Sequence, residues 1–214
     1  MAAAPRTYND PCGIARALDL IGERWALLIV RELLLGPKRF GQLRRGLHDA
    51  SANVLTQRLR ELEEANVVRR YKLGLPADVV VYELTERGYA LEPVVLELGR
   101  WGSQTPITSR AELGIDALMI ALKARFNAAR AGDLHATYDL RLGSDRFSVE
   151  VADGSISIQR GAATHASAGI TADPALFRVV VFGRQSLPAA LRSGKFAIDG
   201  DRRAVDRFVR LFCD

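Results

Sequence analysis

Residues 48–68 read HDASANVLTQRLRELEEANVV, and this stretch decides the fold of the first half of the chain. Ser51 is a favoured N-cap, because its hydroxyl can accept a hydrogen bond from a free amide of the first turn. The apolar residues that follow recur at helical spacing and are Leu55, Leu59 and Leu62. Asn66 tolerates the left-handed conformation that ends many helices. The pattern therefore predicts an amphipathic helix over residues 52–65.

The face of this helix opposite the leucines is polar. Asn and Gln side chains can form two hydrogen bonds with adenine, and Arg can do the same with guanine. The helix carries such side chains at positions 53, 57 and 60. An ordinary solvated surface helix is the alternative interpretation. We predict contacts with DNA from Ser51, Asn53, Thr56, Gln57, Arg58 and Arg60.

The segments around this helix complete a recognisable order. Upstream, residues 13–21 and 23–35 have helical spacing, and residues 40–47 predict a short helix. Downstream, residues 67–72 and 79–84 are rich in β-forming residues and flank LGLPAD, whose Gly and Pro suit a hairpin turn. Thr85 is expected to cap one closing helix over residues 86–101. This order predicts a winged helix-turn-helix, in which the longer helix enters the major groove.

Basic residues concentrate in the same region. The chain has a net charge of +5, and residues 38–72 contain nine Lys or Arg against four acidic residues. A local basic excess is typical of surfaces that meet phosphates, although a solvated basic face has the same composition. Outside the long helix, we predict backbone contacts from the hairpin and from the start of the short helix, made by Lys38, Arg39, Arg69, Arg70 and Lys72.

Several function classes are disfavoured by the composition. No apolar stretch approaches the roughly 20 residues of a membrane span, and the first residues lack the apolar centre of a secretory signal. The histidines at 48, 135 and 165 are far apart, and neither a glycine-rich phosphate loop nor GxSxG occurs. We expect a cytoplasmic protein that is not an enzyme, with no metal, no cofactor and no membrane partner.

Residues 11–101 resemble the HxlR family of winged-helix regulators. The resemblance is carried by Ile21-Gly22-x-x-Trp25, Leu55-x-x-Arg58-Leu59 and Tyr82-x-Leu84-Thr85. It implies a homodimer that binds an inverted repeat in double-stranded DNA, with the N-terminal and closing helices forming the subunit contact. Trp25 is expected to belong to the core.

The resemblance also draws attention to Cys12, because several such regulators sense oxidants or electrophiles with a cysteine at the start of the first helix. A helix N-terminus favours the reactive thiolate. The other cysteine, Cys213, lies at the far end of the chain, which argues against a switch made of two cysteines. A redox sensor and an unreactive thiol both remain open.

The second half differs in pattern. A run rich in Gly, Ser, Thr and Pro ends the closing helix, and we predict a DNA-binding and dimerisation domain over 1–103, a linker over 104–111 and a second domain over 112–214. The second domain should contain one helix over 112–130 and strands over 136–142, 147–151 and 155–159. The whole chain is thus α+β. Residues 170–212 resemble the sterol-carrier-protein-like domain, which implies an α+β sandwich.

Such a sandwich could enclose an apolar cavity. Its possible lining residues are Leu118, Met119, Leu122, Phe126, Phe177 and Phe182, each of which could equally be plain core. The sequence therefore predicts a DNA-binding regulator that responds to an apolar small molecule or to oxidation of Cys12. A second domain that only strengthens the dimer is a further possibility. A lipid carrier, with the helical half used only for docking or dimerisation, is the alternative function.

Overall fold

The computed structural model describes residues 7–74, 79–109 and 111–212. The chain divides into two compact units, Met1–Val95 and Leu96–Asp214. The domain boundaries and the linker expected from the sequence stay a prediction.

Up to the closing segment, the first unit has the predicted order of elements. Three helices precede the long helix, a two-stranded antiparallel hairpin follows it, and two further helices come after the hairpin. The elements are α1 (Gly13–Ile21), α2 (Ala26–Leu33), α3 (Phe40–Gly46), α4 (Ala52–Glu64), β1 (Val68–Leu73), β2 (Val79–Leu84), α5 (Glu86–Tyr89) and α6 (Glu92–Gly102). Helix α6 begins in the first unit and continues beyond its last residue, Val95. The predicted hairpin turn falls partly on residues 75–78, which lie outside the described residues.

Helix α4 forms for the reasons that its sequence indicates. The Ser51 hydroxyl accepts a hydrogen bond from the Val54 amide at 3.3 Å, and Asn66 has a positive φ of 54° just beyond the helix. The leucines of the stripe are at most 1% exposed: Leu55, Leu59 and Leu62. Burial of each such side chain stabilises the fold by about 1.5–3 kcal/mol. These contacts fix the polar side of α4 towards solvent.

The closing segment differs from the prediction of one helix. Thr85 does cap it, since its hydroxyl accepts a hydrogen bond from the Gly88 amide at 3.1 Å. The segment then breaks into α5 and α6, and α6 begins with Glu92 immediately before Pro93. Proline has no amide hydrogen and disfavours helical dihedrals in the preceding residue, so a break here is expected physically.

The second unit holds one mixed five-stranded sheet with helices. Its elements are α7 (Ile115–Arg125), α8 (Ala128–Ala131), β3 (Ala136–Leu142), β4 (Asp145–Ala152), β5 (Ser155–Arg160), β6 (Ala168–Ala172), α9 (Pro174–Val181), α10 (Leu187–Arg192), β7 (Phe196–Gly200) and α11 (Arg202–Arg210). The strand order is β5-β4-β3-β6-β7, and only β3 and β6 are parallel. The α+β class and the three predicted strands are confirmed.

The predicted helix over residues 112–130 is two helices. Phe126 leaves the helical conformation with ψ at 130°, and the Asn127 side chain then caps α8 by accepting a hydrogen bond from the Arg130 amide at 3.1 Å. An Asn that bonds nearby amides competes with continuation of a helix. The interruption therefore has a local cause.

The interior of the second unit contains a cluster of aromatic rings among aliphatic side chains. The ring of Tyr138 on β3 lies 4.6 Å from that of Phe208 on α11, and Phe177 on α9 lies 6.5 Å from Phe208. Leu118, Met119, Leu122 and Phe177 are fully buried. Phe126 and Phe182 are half-buried, and the Arg125 guanidinium lies over the Phe182 ring. A role for these six residues in a ligand cavity stays a prediction.

Asp139 sits on the opposite face of the same sheet, where it is nearly inaccessible. Its carboxylate accepts hydrogen bonds from Arg146 at 2.7 and 2.9 Å and pairs with Arg141 at 2.9 Å. The Ala163 amide donates to the same carboxylate at 3.2 Å. The bonds from Arg146 outweigh the effect of burial and lower the pKa of Asp139.

Within the described ranges, no helix is both long enough and apolar enough to pass through a bilayer.

Candidate nucleic-acid interface

The outward face of α4 carries the side chains best suited to contact bases. Asn53, Gln57 and Arg60 are all exposed. The Gln57 amide donates to Glu61 at 2.9 Å on the same helix, a surface contact that can be exchanged for another acceptor. The structure thus presents two amides and one guanidinium on one side of a helix whose other side is buried.

The remaining predicted residues of α4 are partly engaged within the protein. Arg58 is only 18% exposed and forms ion pairs with Glu61 on the same helix and with Glu23 at 3.5 Å. Arg58 thus links α4 to the segment before α2, and its contact with DNA stays a prediction. Thr56 is half-buried and its hydroxyl donates to the Ala52 carbonyl at 2.8 Å, while the Ser51 hydroxyl serves as the N-cap.

The hairpin presents different side chains on its two faces, because successive residues of a strand point to opposite sides. Arg70 and Lys72 share one face and are exposed. Arg69 lies on the other face, where its guanidinium donates to Glu83 at 2.8 Å. The bond with Glu83 also raises the pKa of Arg69. The prediction of a phosphate contact therefore fits the face of Arg70 and Lys72. Arg69 is exposed on the other face and paired with Glu83, and its phosphate contact stays a prediction.

Lys38 is the clearest correction among the predicted contacts. Its side chain is buried, and its Nζ donates to the Glu32 carboxylate at 2.6 Å. Its backbone pairs with Tyr82 of β2 in both directions, at 2.9 and 2.8 Å. A side chain held inside in this way cannot reach a phosphate. Arg39, one residue on, is exposed at the start of α3 and remains a candidate.

Tyr82 was not among the predicted site residues, yet it stands at the junction of α4 and the hairpin. It lies directly opposite Arg70 in the strand register. Partial burial raises the pKa of Tyr82, and the charges of Arg70, Glu63 and Arg60 also act on it. The long helix and the hairpin therefore bring Arg60 and Arg70 near the same phenol. The strand register places Arg70 opposite Tyr82, and the packing of α4 beside the hairpin brings Arg60 near it.

Two exposed arginines on α3, Arg44 and Arg45, complete the basic surroundings. Both belong to the basic stretch of residues 38–72, but no DNA contact is predicted for them from the sequence. They lie in the last turn of α3, just before the connection to α4. Exposed guanidiniums at this place are suited to phosphate contacts.

Cys12 occupies the N-cap position of α1 and is exposed. Its amide donates to the Asp10 carboxylate at 2.8 Å, which holds the turn that leads into the helix. Cys213 lies outside the described residues. The thiol of Cys12 is thus open to solutes, and its redox role stays a prediction.

Apolar side chains are exposed on the first and closing helices. On α1, Ile14 is 73% exposed and Leu18 is also exposed. On α6, Val94 and Leu98 are exposed and Trp101 is 68% exposed. Trp25, expected in the core, is half-buried with the Arg24 guanidinium 5.0 Å from its ring centre.

A helical core that exposes one long polar helix beside a basic hairpin defines the class of winged helix-turn-helix DNA-binding proteins. Comparison with known proteins agrees. The HxlR-like helix-turn-helix family matches residues 20–109. The chain belongs to this family, and it is a DNA-binding transcriptional regulator.

Curated relatives match the first half of the chain. An HTH-type transcriptional regulator of Bacillus subtilis, YvaP, is 37% identical over 89 residues, which are 42% of this chain and 82% of the relative. The regulator YodB of the same organism is 40% identical over 88 residues, 41% of this chain and 79% of YodB. The oxidised form of the redox regulator HypR has 35% identity and a TM-score of 0.43, covering 45% of this chain and 100% of HypR.

The second half matches a different family. The alkyl sulfatase C-terminal family covers residues 106–214. This is a match to a C-terminal domain and by itself indicates no catalytic activity. The resemblance of this half to sterol-carrier-like domains stays a prediction.

Proposed function

We propose that this regulator binds an inverted-repeat operator as a homodimer, with α4 of each copy in the major groove. The observation that carries the proposal is the exposure of Asn53, Gln57 and Arg60 on the side of α4 opposite its buried leucines. These side chain types can discriminate bases through paired hydrogen bonds. The acidic residues of the helix follow in its C-terminal half, where they interfere least with entry into the groove.

The hairpin supplies contacts that position the protein without reading sequence. Arg70 and Lys72 share one exposed face, and Arg70 lies close enough to Tyr82 for its charge to act there together with that of Arg60. With these cations side by side, α4 can contact bases while the hairpin contacts the phosphate backbone. Arg39, Arg44 and Arg45 extend the same function along α3.

The homodimer rests on the family resemblance and on exposed apolar residues. Ile14 and Leu18 are one helical turn apart on α1, and Val94, Leu98 and Trp101 follow a similar stripe on α6. Large apolar side chains exposed in stripes are typical of subunit contacts. Two copies related by a twofold axis would present two α4 helices to half-sites roughly one DNA turn apart.

The effector stays open between two hypotheses. Oxidation of Cys12 is supported by the exposure of its thiol. An apolar ligand in the second unit gains no support from the packing of Leu118, Met119 and Leu122, which are fully enclosed by neighbouring side chains. The lipid-carrier alternative gives the first half a docking role only, and relatives that are transcriptional regulators favour DNA binding instead.

Selection of bound fragments from genomic DNA with the purified full chain tests this function. We expect the selected fragments to share an inverted repeat with half-site centres about 10–10.5 base pairs, or a multiple, apart. As a control, the triple variant Asn53→Ala, Gln57→Ala and Arg60→Ala should lose the enrichment. Fragments without a repeat, or equal enrichment with the variant, would contradict the proposal.

A further inference from the structure

A basic cleft lies in the second unit, away from every residue assigned above. It has a volume of about 640 Å³ and is lined by Arg130, Arg203, Asp206, Arg207 and Arg210. Among the residues that the structure describes, four guanidiniums and one carboxylate give the lining a net charge of +3. The volume is within the usual range for small-molecule sites, roughly 300–1,000 Å³, but the lining is charged instead of apolar.

The cleft is built by two helices. Arg203, Arg207 and Arg210 stand at i, i+4 and i+7 on α11 and therefore share one face. Arg130 is brought alongside from α8, and its Nη1 donates to the Arg210 carbonyl at 3.3 Å. Residues far apart in sequence thus place their guanidiniums around one concave surface.

This arrangement is unfavourable for the protein alone. Like charges four residues apart on a helix, such as Arg203 and Arg207, repel each other. Arg203 also lies in the first turn of α11, where the helix dipole disfavours a cation. Across residues 7–74, 79–109 and 111–212, neither of these two arginines forms an ion pair. Elsewhere in the unit Arg146 and Arg160 are bound to aspartates.

A second observation is the hydroxyl of Tyr138. It is buried and has no hydrogen-bond partner in the part of the chain that the structure describes. Burial raises the pKa of Tyr138, while the charge of Arg207 lowers this pKa and the charge of Asp201 raises it. An unsatisfied polar group therefore lies within electrostatic reach of a lining residue of the cleft.

We propose that this cleft binds a small phosphorylated ligand that carries at least two negative charges. Guanidiniums bind phosphate oxygens through paired, charge-assisted hydrogen bonds, and several of them around one concavity suit a compact polyanion. The concave shape favours a small molecule over a duplex, whose cylindrical backbone needs a surface that it can lie against. The site is independent of the operator contacts made by the first unit.

Calorimetric titration of the full chain with sodium diphosphate tests this proposal. Wild-type protein should bind one diphosphate per cleft. Each charge-assisted bond contributes about a factor of ten in affinity, so the double variant Arg203→Gln, Arg207→Gln should bind diphosphate about a hundredfold more weakly or not at all. Arg202→Gln is the matched control. It removes the same charge from an exposed position of the same helix outside the lining, and its affinity should stay within about twofold of wild type by the same scale.

Three results would overturn the proposal. The first is the absence of diphosphate binding by wild-type protein. The second is an equal loss in Arg202→Gln, which would indicate a general effect of charge. The third is a pair of results: wild-type protein does not bind diphosphate, and the double variant binds the operator more weakly than wild type. The cleft would then contact the DNA backbone instead of a small ligand. Because diphosphate binding is measured without DNA, a negative result there rules out the cleft proposal but not the proposed operator binding.

Discussion

Replacement of Lys38 by methionine tests the corrected role of this residue. The change keeps the length of the side chain but removes the charge that meets the Glu32 carboxylate at 2.6 Å, where Glu32 is 2% exposed. Removal of one partner from a buried ion pair costs about 3–5 kcal/mol, because the other charge stays buried. Arg31 still donates to the second carboxylate oxygen at 2.8 Å. We therefore expect a loss near the lower limit, about 3 kcal/mol.

This loss of unfolding free energy can be followed in the full chain with a signal that comes from the first unit only. Urea unfolding followed by the fluorescence of Trp25, in a Trp101→Phe background, reports on this unit. Arg39→Met is the matched control, since Arg39 is the exposed neighbour, and its free energy of unfolding should change by less than about 0.5 kcal/mol. The double variant Glu32→Gln, Lys38→Met removes both charges and should lose less stability than Lys38→Met. If Lys38→Met is as mild as the control, Lys38 is not held in a buried pair.

Three further outcomes are expected. Lys72→Ala should weaken DNA binding evenly on all operator sequences and reduce the slope of log K against log salt by about 0.9. Arg69→Ala should leave this slope nearly unchanged, because Glu83 binds the Arg69 guanidinium. Equal effects of the two variants would refute the assignment of the two hairpin faces. Cys12→Ser should abolish any loss of DNA binding after peroxide treatment, and a variant that still responds would exclude Cys12 as the sensor. The lowered pKa of Asp139 stabilises the fold above the ordinary carboxyl pKa of about 3.9, and this contribution is lost as pH falls through the lowered value. Acid unfolding of Asp139→Asn should therefore depend less steeply on pH below about 4, and an unchanged profile would contradict this origin.

The fold of the first half was largely predictable from the sequence because its signals are local. The Ser51 cap, the leucine spacing and the Asn66 stop lie within one segment, and each acts in the structure as its chemistry indicates. The break before Pro93 also had a local signal, but the apolar pattern across it favoured one continuous helix. Local chemistry thus explains both the success and the error.

The candidate contacts were harder to predict, since they depend on partners distant in the chain. Lys38 and Arg69 have the composition of phosphate contacts, yet Glu32 and Glu83 bind them. The pairing of Arg69 with Glu83 follows from the strand register, which the sequence does not specify. A basic residue can therefore be placed near DNA by sequence, but its availability depends on the tertiary neighbours.

The basic cleft of the second unit has the same explanation. Arg130 and the arginines of α11 are separated by more than seventy residues. Only the packing of α8 beside α11 brings them around one concavity. Helical spacing alone marks Arg203, Arg207 and Arg210 as a solvated face.

The most direct test of the DNA-binding role is the affinity of Arg60→Ala for an operator and for its single-base variants, measured by fluorescence anisotropy at one fixed salt concentration. We expect Arg60→Ala to lose about 1–3 kcal/mol of binding free energy on the operator. At one base pair of each half-site the variant should no longer distinguish the operator base from the other bases, whereas at all other positions it should discriminate as the wild type does. An equal loss on every sequence, or no loss at all, would contradict base readout by α4.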